Sequence, residues 1–210
     1  GAGLAGTGCS VWIEHSDIRQ ISASTDVNDP NDDAVLPLGA GVFCWSTDAE
    51  IFDCNIAANI SSGSGGGIHL RGENSTVVDN CLIINNIATR DGGGLLTAWF
   101  ATPTIRNCTF VGNASPGLAG EPNRTGFGGA VSCIYESECT IVDSILWQNY
   151  ARSGSELALG SGFSLDRRCG KLNISYCDIL SGPNDVWVDD GCELTYGKGI
   201  IHLDPLFTQG

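Results

Sequence analysis

The 210-residue chain contains no methionine, and only 16% of its residues are charged. Ten Lys and Arg stand against 24 Asp and Glu, a formal net charge of -14, and the basic residues form no run. Such a chain repels DNA and RNA phosphates, so no nucleic acid is expected as a partner. Long apolar runs are also missing. Stretches such as Ile83-Ile84 and Gly94-Leu95-Leu96 fall far short of the roughly 20 residues that span a bilayer, so direct membrane insertion is not expected. No segment repeats apolar residues at i, i+3, i+4 and i+7 over a helical length, which disfavours helical and leucine-rich solenoids. With no initiator Met and no signal peptide, the chain is expected to be a mature product or an excised segment.

What is present points to strands. A hydrophobic content of 42% supports a sizeable core, and 29 glycines supply many turns. Ten cysteines without a Cys-x-x-Cys pair suit a secreted protein better than a zinc protein. Asn-x-Ser/Thr sequons at Asn59, Asn74, Asn113, Asn123 and Asn173 are candidate glycosylation sites and agree with an extracellular or cell-surface address. A further sequon at Asn107 is set aside as buried.

The dominant signal is internal repetition. A Gly-x-[Gly/Ala]-apolar opening recurs at Gly1, Gly39, Gly65, Gly92, Gly128, Gly160 (GSGF) and Gly197 (GKGI). A second signature follows, with an apolar residue, Asp or Asn, Cys or Ser, another apolar residue and Asn, as in IFDCNIAAN from Ile51 and IRNCTFVGN from Ile105. Short apolar stretches bounded by Gly, Asn and Ser within each unit predict three strands per coil. Stacking the units gives columns: Leu4, Val42, Ile68, Leu95, Val131, Phe163 and Ile200; Ile13, Ile51, Val78, Ile105, Ile141 and Ile174; and Ile18, Ile56, Ile83, Phe110, Leu146 and Ile179. Beside the third column run Cys54, Cys81, Cys108 and Cys177, with Ser16 and Ser144 in line, an inward thiol column two residues away on the same face. Asn59, Asn86, Asn113 and Asn149 fall at turns, where Asn tolerates left-handed backbone and its amide can bond the neighbouring coil, an asparagine ladder. The expected fold is all-β, a parallel β-helix of six full coils plus a partial seventh in one domain over 1–210. Loops protrude near 22–38, 115–127, 150–160 and 181–196.

Gly128-Gly129-Ala130-Val131 and Phe110-Val111-Gly112-Asn113 resemble the GGA[Ile/Leu/Val] and FxxN repeats of the polymorphic outer membrane proteins, and equally the broader right-handed β-helix repeat family of bacterial surface proteins. The resemblance covers nearly the whole chain and implies a right-handed parallel β-helix that is secreted or surface-displayed, frequently an adhesin, with no shared active site.

Candidates for chemistry are sparse. Polysaccharide cleavage is the enzymatic rival, since pectate lyases and polygalacturonases share the fold class. Of the four polygalacturonase-like motifs, Asp189-Asp190 supplies an Asp-Asp pair on a loop, and Asn-Thr-Asp, Gly-His-Gly and Arg-Ile-Lys are missing. His15, His69 and His202 lie in different coils and read as surface or turn residues, as do the isolated Arg71 and Arg106. Asp26, Asn28, Asp29, Asp32 and Asp33 gather the oxygen ligands calcium prefers. That loop lacks the Gly and closing Glu of an EF-hand, and a solvated acidic loop is the competing reading. No other cofactor is expected. Cys9, Cys44, Cys133, Cys139, Cys169 and Cys192 are the disulfide candidates, with Cys139–Cys169 and Cys133–Cys139 competing.

These readings lead to a non-enzymatic structural or adhesive module whose partners are copies of itself, joined head to tail, or other surface proteins and glycans. The alternatives are a polysaccharide-active or glycan-binding β-helix, and a fragment of a longer surface adhesin.

Overall fold

The structure, a computed structural model, describes residues 3–8, 10–23, 39–120, 125–160 and 169–207. Every strand pairing in it is parallel and joins a strand to its counterpart one repeat away, so the chain winds as a β-helix. The first side is a seven-stranded sheet of Leu4–Thr7, Val42–Trp45, Ile68–Arg71, Leu95–Ala98, Val131–Ile134, Leu157–Gly160 and Val186–Val188. The second is also seven-stranded: Val11–Glu14, Ala49–Phe52, Val77–Asp79, Thr104–Arg106, Glu138–Val142, Lys171–Ser175 and Glu193–Tyr196. Six strands make the third side, from Asp17–Arg19 to Asp178–Ile179. To these is added a fourth, short sheet of two-residue strands: Ser22–Ala23, Ile60–Ser61, Ile87–Ala88, Ala114–Ser115 and Tyr150–Ala151.

Strand sequences alternate because alternate side chains face opposite sides of a pleated sheet. Ile51 and its neighbours Ile13, Val78, Ile105, Ile141 and Ile174 stand in register on the second side. Ile18, Ile56, Ile83, Phe110, Leu146 and Ile179 do so on the third. All twelve of these side chains are buried in one continuous core. Full burial of each is worth about 1.5–3 kcal/mol, and β-branched Ile suits the strand that carries it.

The first column requires correction. Leu157 pairs with Val131, and Val186 pairs with Leu157. The sixth opening is therefore Gly154-Ser155-Glu156-Leu157, not Gly160–Phe163, and the seventh ends at Val186, not Ile200. Backbone geometry explains the register. Gly39, Gly65, Gly92, Gly128 and Gly154 all have φ between 64° and 69°, a left-handed corner where an added Cβ would strike the carbonyl three residues on. Gly160 instead ends a strand, Phe163 lies outside the described residues, and Ile201 bridges Asp178 on the third side. The loops near 150–160 and 181–196 are corrected with it. The former holds Tyr150–Ala151 and Leu157–Gly160, and the latter a 3-10 turn, Gly182–Asp185, and the strands Val186–Val188 and Glu193–Tyr196. Most of 22–38 and part of 115–127 lie outside the described residues.

Two other corners use single left-handed residues. His15, Asp53, Asn80, Asn107, Asp143 and Tyr176 turn the chain from the second side to the third, and Gln20, Ala58, Asn85, Gly112 and Gln148 from the third to the fourth. The left-handed residue is thus the one before each ladder asparagine, so Asn59, Asn86, Asn113 and Asn149 are not there for their backbone tolerance.

Candidate functional site

The polar groups of the interior form two ladders. In the first, Asn59 Nδ2 donates to Asn86 Oδ1 at 2.9 Å, Asn86 Nδ2 to Asn113 Oδ1 at 3.0 Å, and Asn113 Nδ2 to Asn149 Oδ1 at 2.9 Å. Each amide also donates to a carbonyl of the preceding coil, as Asn113 does to Ile83 at 2.8 Å. The third glycine of an opening makes room for this: a Cβ at Gly67 would lie 3.1 Å from Asn86 Nδ2. The ladder stops on a carboxylate. Asn149 Nδ2 donates to Glu156 Oε2 at 2.6 Å, and its backbone N–H to Oε1 at 3.2 Å. Glu156 occupies the place of that third glycine in the sixth coil, and the next ladder position, three residues after Ile179 as Asn149 is after Leu146, is Gly182. Burial pushes the Glu156 carboxyl up to about 7 against the lowering effect of the Asn149 bonds, and nearby Asp185 adds to the rise. Sequence reasoning missed Glu156 because a charged residue hid the opening motif. The usable signal was the loss of Asn from the ladder in the coil where Glu appears.

The second ladder is the thiol column. Cys54, Cys81, Cys108 and Cys177 are buried, and each thiol donates to the carbonyl two residues earlier, at 3.0–3.2 Å. Ser144 makes the same bond at 2.8 Å, so the column suits any small donor beside the left-handed corner. Burial raises the Cys54 thiol and raises Cys177 to about 11, while Cys108 and burial together raise Cys81. Neutral buried thiols are neither nucleophiles nor metal ligands.

Among the described residues, a disulfide joins Cys169 and Cys192, across 23 residues. Both expected pairings are wrong because Cys133 and Cys139 are free thiols facing the core, whereas Cys169 precedes its strand on the outside. Cys44 is buried in the first sheet, and Cys9 lies outside the described residues.

The sequons also divide differently. Asn59 and Asn113 are buried with their Nδ2 hydrogens used in the ladder, and Asn74 is buried donating to Arg71 and Gly72 carbonyls. No glycan fits on them in the folded chain. Asn-x-Ser here is a product of the repeat, since Ser61 and Ser115 are the small inward residues two positions after the ladder. Asn107 is exposed at its corner, Asn173 is half-buried in a strand, and Asn123 lies outside the described residues.

The whole calcium-candidate loop, Asp26, Asn28, Asp29, Asp32 and Asp33, lies outside the described residues. Among the described residues no group of three or more His, Cys, Asp or Glu is placed to hold a metal, and no helix is long and apolar enough to cross a membrane. His69 is buried rather than superficial: its Nδ1 lies 3.3 Å from the Ser64 carbonyl, its ring meets Phe43 edge-on, and burial lowers it to about 3. Arg71 is not isolated either. Its guanidinium lies 5.3 Å from the Trp45 ring and 5.6 Å from Trp99, which stacks on Tyr135. Trp187 sits in a strand against Phe127, at 4.5 Å between centroids.

Two of the grooves on the outside carry aromatic side chains. One, of about 670 Å³, is lined by Trp12, Glu14, Phe52, Asp53, Asp79, Asn80 and Asn107. Trp12 is 62% exposed and its ring centroid lies 5.2 Å from that of Phe52. Asp79 is held by Arg106 Nε at 2.9 Å and Asn107 Nδ2 at 2.8 Å. The other, of about 830 Å³, lies between third-side residues such as Leu82, Val111 and Trp147 and the C-terminal Leu206 and Phe207.

No curated protein and no solved structure matches the chain. The family model for the right-handed β-helix region matches residues 4–202. With parallel strands in register from Leu4 to Tyr196 and nearly the whole chain matched, the protein belongs to the right-handed β-helix family.

Proposed function

We propose that the protein is an extracellular structural or adhesive module that associates end to end through its terminal coils. The β-helix fold is consistent with a structural or surface module. The observation that carries the finer reading is that both seven-stranded sheets finish in unpaired edges among the described residues, Leu4–Thr7 and Val11–Glu14 at one end, Val186–Val188 and Glu193–Tyr196 at the other. Such edges are templates for strand addition. Head-to-tail stacking continues both sheets in the same direction, and because unlike ends meet, the product is a filament. Leu4 marks the contact: it is 42% exposed, while Val42, Ile68, Leu95, Val131 and Leu157 in its column are at most 1% exposed. Electron microscopy of the purified chain tests this. Fibres that disappear in Leu4→Asp support it, and dispersed single particles at every concentration overturn it.

A second reading, binding or cleavage of a polysaccharide, is favoured by the Trp12–Phe52 groove, where an aromatic face lies beside carboxylates and amides. Saturable binding to a panel of neutral and charged polysaccharides, lost in Trp12→Ala, supports it. No binding and no release of reducing sugar with calcium present contradicts it. As a segment of a longer adhesin, the chain would offer the same edges to neighbouring coils, which more Gly-Gly-x repeats in the full reading frame would reveal.

A further inference from the structure

The last coil is held to the body differently from the coils that carry the asparagine ladder. There the corner between the third and first sides is closed by an asparagine under a glycine: Asn59 by Gly41, Asn86 by Gly67, Asn113 by Gly94. In the sixth coil the glycine place is taken by Glu156 and the asparagine place by Gly182. Glu156 is fully buried, its carboxylate oxygens receive, among the described residues, the two Asn149 donors described above, and its backbone N–H donates to the carbonyl of Asp185 at 3.2 Å. Because Leu157 pairs with Val186, Glu156 and Asp185 stand one above the other in successive coils.

Among the described residues, the charged and titratable groups around this corner come from two elements. The 3-10 turn Gly182–Asp185 contributes Asp185, and the C-terminal segment contributes His202, whose ring lies over Gly182 with Nδ1 3.2 Å from the Ile179 carbonyl. On the side carrying Asn149, its amide also donates to the Phe110 and Trp147 carbonyls. Ionised, Glu156 therefore puts a negative charge into a closed interior directly beneath a second acidic residue. Protonated, it presents a neutral group to Asn149.

We propose that Glu156 is a pH-sensitive latch for the last coil: protonated, it keeps residues 182–203 closed on the body, and ionised, beneath Asp185, it releases them. The Cys169–Cys192 disulfide keeps the released coil tethered, so opening is local and reversible. What opening uncovers is the edge of the sixth coil, Leu157–Gly160 and Lys171–Ser175. The latch does not depend on end-to-end association, and a monomer would show it equally.

The elevated proton affinity of the buried carboxyl supports this geometry. Its folded value of about 7 against an ordinary 4.5 places the transition between those two pH values. Closure is then fully favoured below the ordinary value and weakens as pH rises through the folded one.

Hydrogen exchange of the whole chain, corrected for the intrinsic pH dependence of amide exchange, tests the latch. Between pH 5 and 8 the opening equilibrium of residues 182–203 should rise on the order of 100-fold, while amides of 77–146 hold their protection. Glu156→Gln should flatten the profile of 182–203. If that variant does not fold, Asp185→Asn should still reduce the amplitude and move the transition to lower pH. A flat wild-type profile, or an unchanged profile in either variant, overturns the proposal.

Discussion

One oxygen of Asn113 serves two donors of the coil before it: Oδ1 accepts from both the backbone N–H and the Nδ2 of Asn86, each at 3.0 Å. Asn86 and Asn149 accept in the same way, so the amide donors run in one direction and end on Glu156. Amides aligned in a low-dielectric interior polarise one another and leave no member spare.

Removing one rung should accordingly cost more than one hydrogen bond. Asn113→Ala strands two Asn86 donors, the Ile83 carbonyl loses the Nδ2 donor, and Asn149 Oδ1 keeps only the backbone N–H of residue 113. The expected destabilisation is about 3–5 kcal/mol, measured by urea unfolding at 25 °C. Replacing exposed Asn107 by Gly, which keeps the left-handed corner, should cost about 1 kcal/mol in the same assay, since it gives up one surface bond to Asp79. Equal costs would contradict the ladder's role.

The thiols offer a chemical readout. Cys54, Cys81, Cys108, Cys133, Cys139 and Cys177 are buried in the native chain. Iodoacetamide under native conditions should leave all six unmodified on a timescale set by unfolding, and all should react in denaturant. Fast native labelling of the column would mean that its corner is open.

The pH dependence has a definite sign. Glu156 holds its proton more tightly when folded, so its contribution to stability is complete below pH 4.5 and is lost as pH rises through about 7. Glu156→Gln does not titrate, so it should gain stability relative to wild type, by about 3 kcal/mol, between pH 4.5 and 8. Urea midpoints of the two proteins across that range measure it, and a constant difference would show that the carboxyl titrates normally.

Much of the fold could be read from the residues because each column is an independent vote. Ile51, Val78 and Ile105 recur at equal spacing with Cys two places before the next apolar residue, and both sets are buried together. The first column failed where the pattern was locally degenerate. Gly160-Ser161-Gly162-Phe163 copies the opening by chance, while the functioning opening carries Glu156 in place of glycine. The left-handed φ of 64° that identifies Gly154 is invisible in a string of letters. Disulfide pairing is not legible in position ahead of the second strand alone: Cys139 stands opposite Leu172 and faces the core, whereas Cys169, three residues before Leu172, does not. Burial of Asn59 and Asn113 was implied by the ladder itself, and reading their sequons as surface signals was inconsistent with it.

Association through the terminal coils is read out by the concentration dependence of mass in light scattering. Wild type should grow in mass with concentration without reaching a plateau, and Leu4→Asp should remain at the 21.9 kDa of one chain. A wild-type mass fixed at one chain over the whole range, with the fold intact, would contradict it.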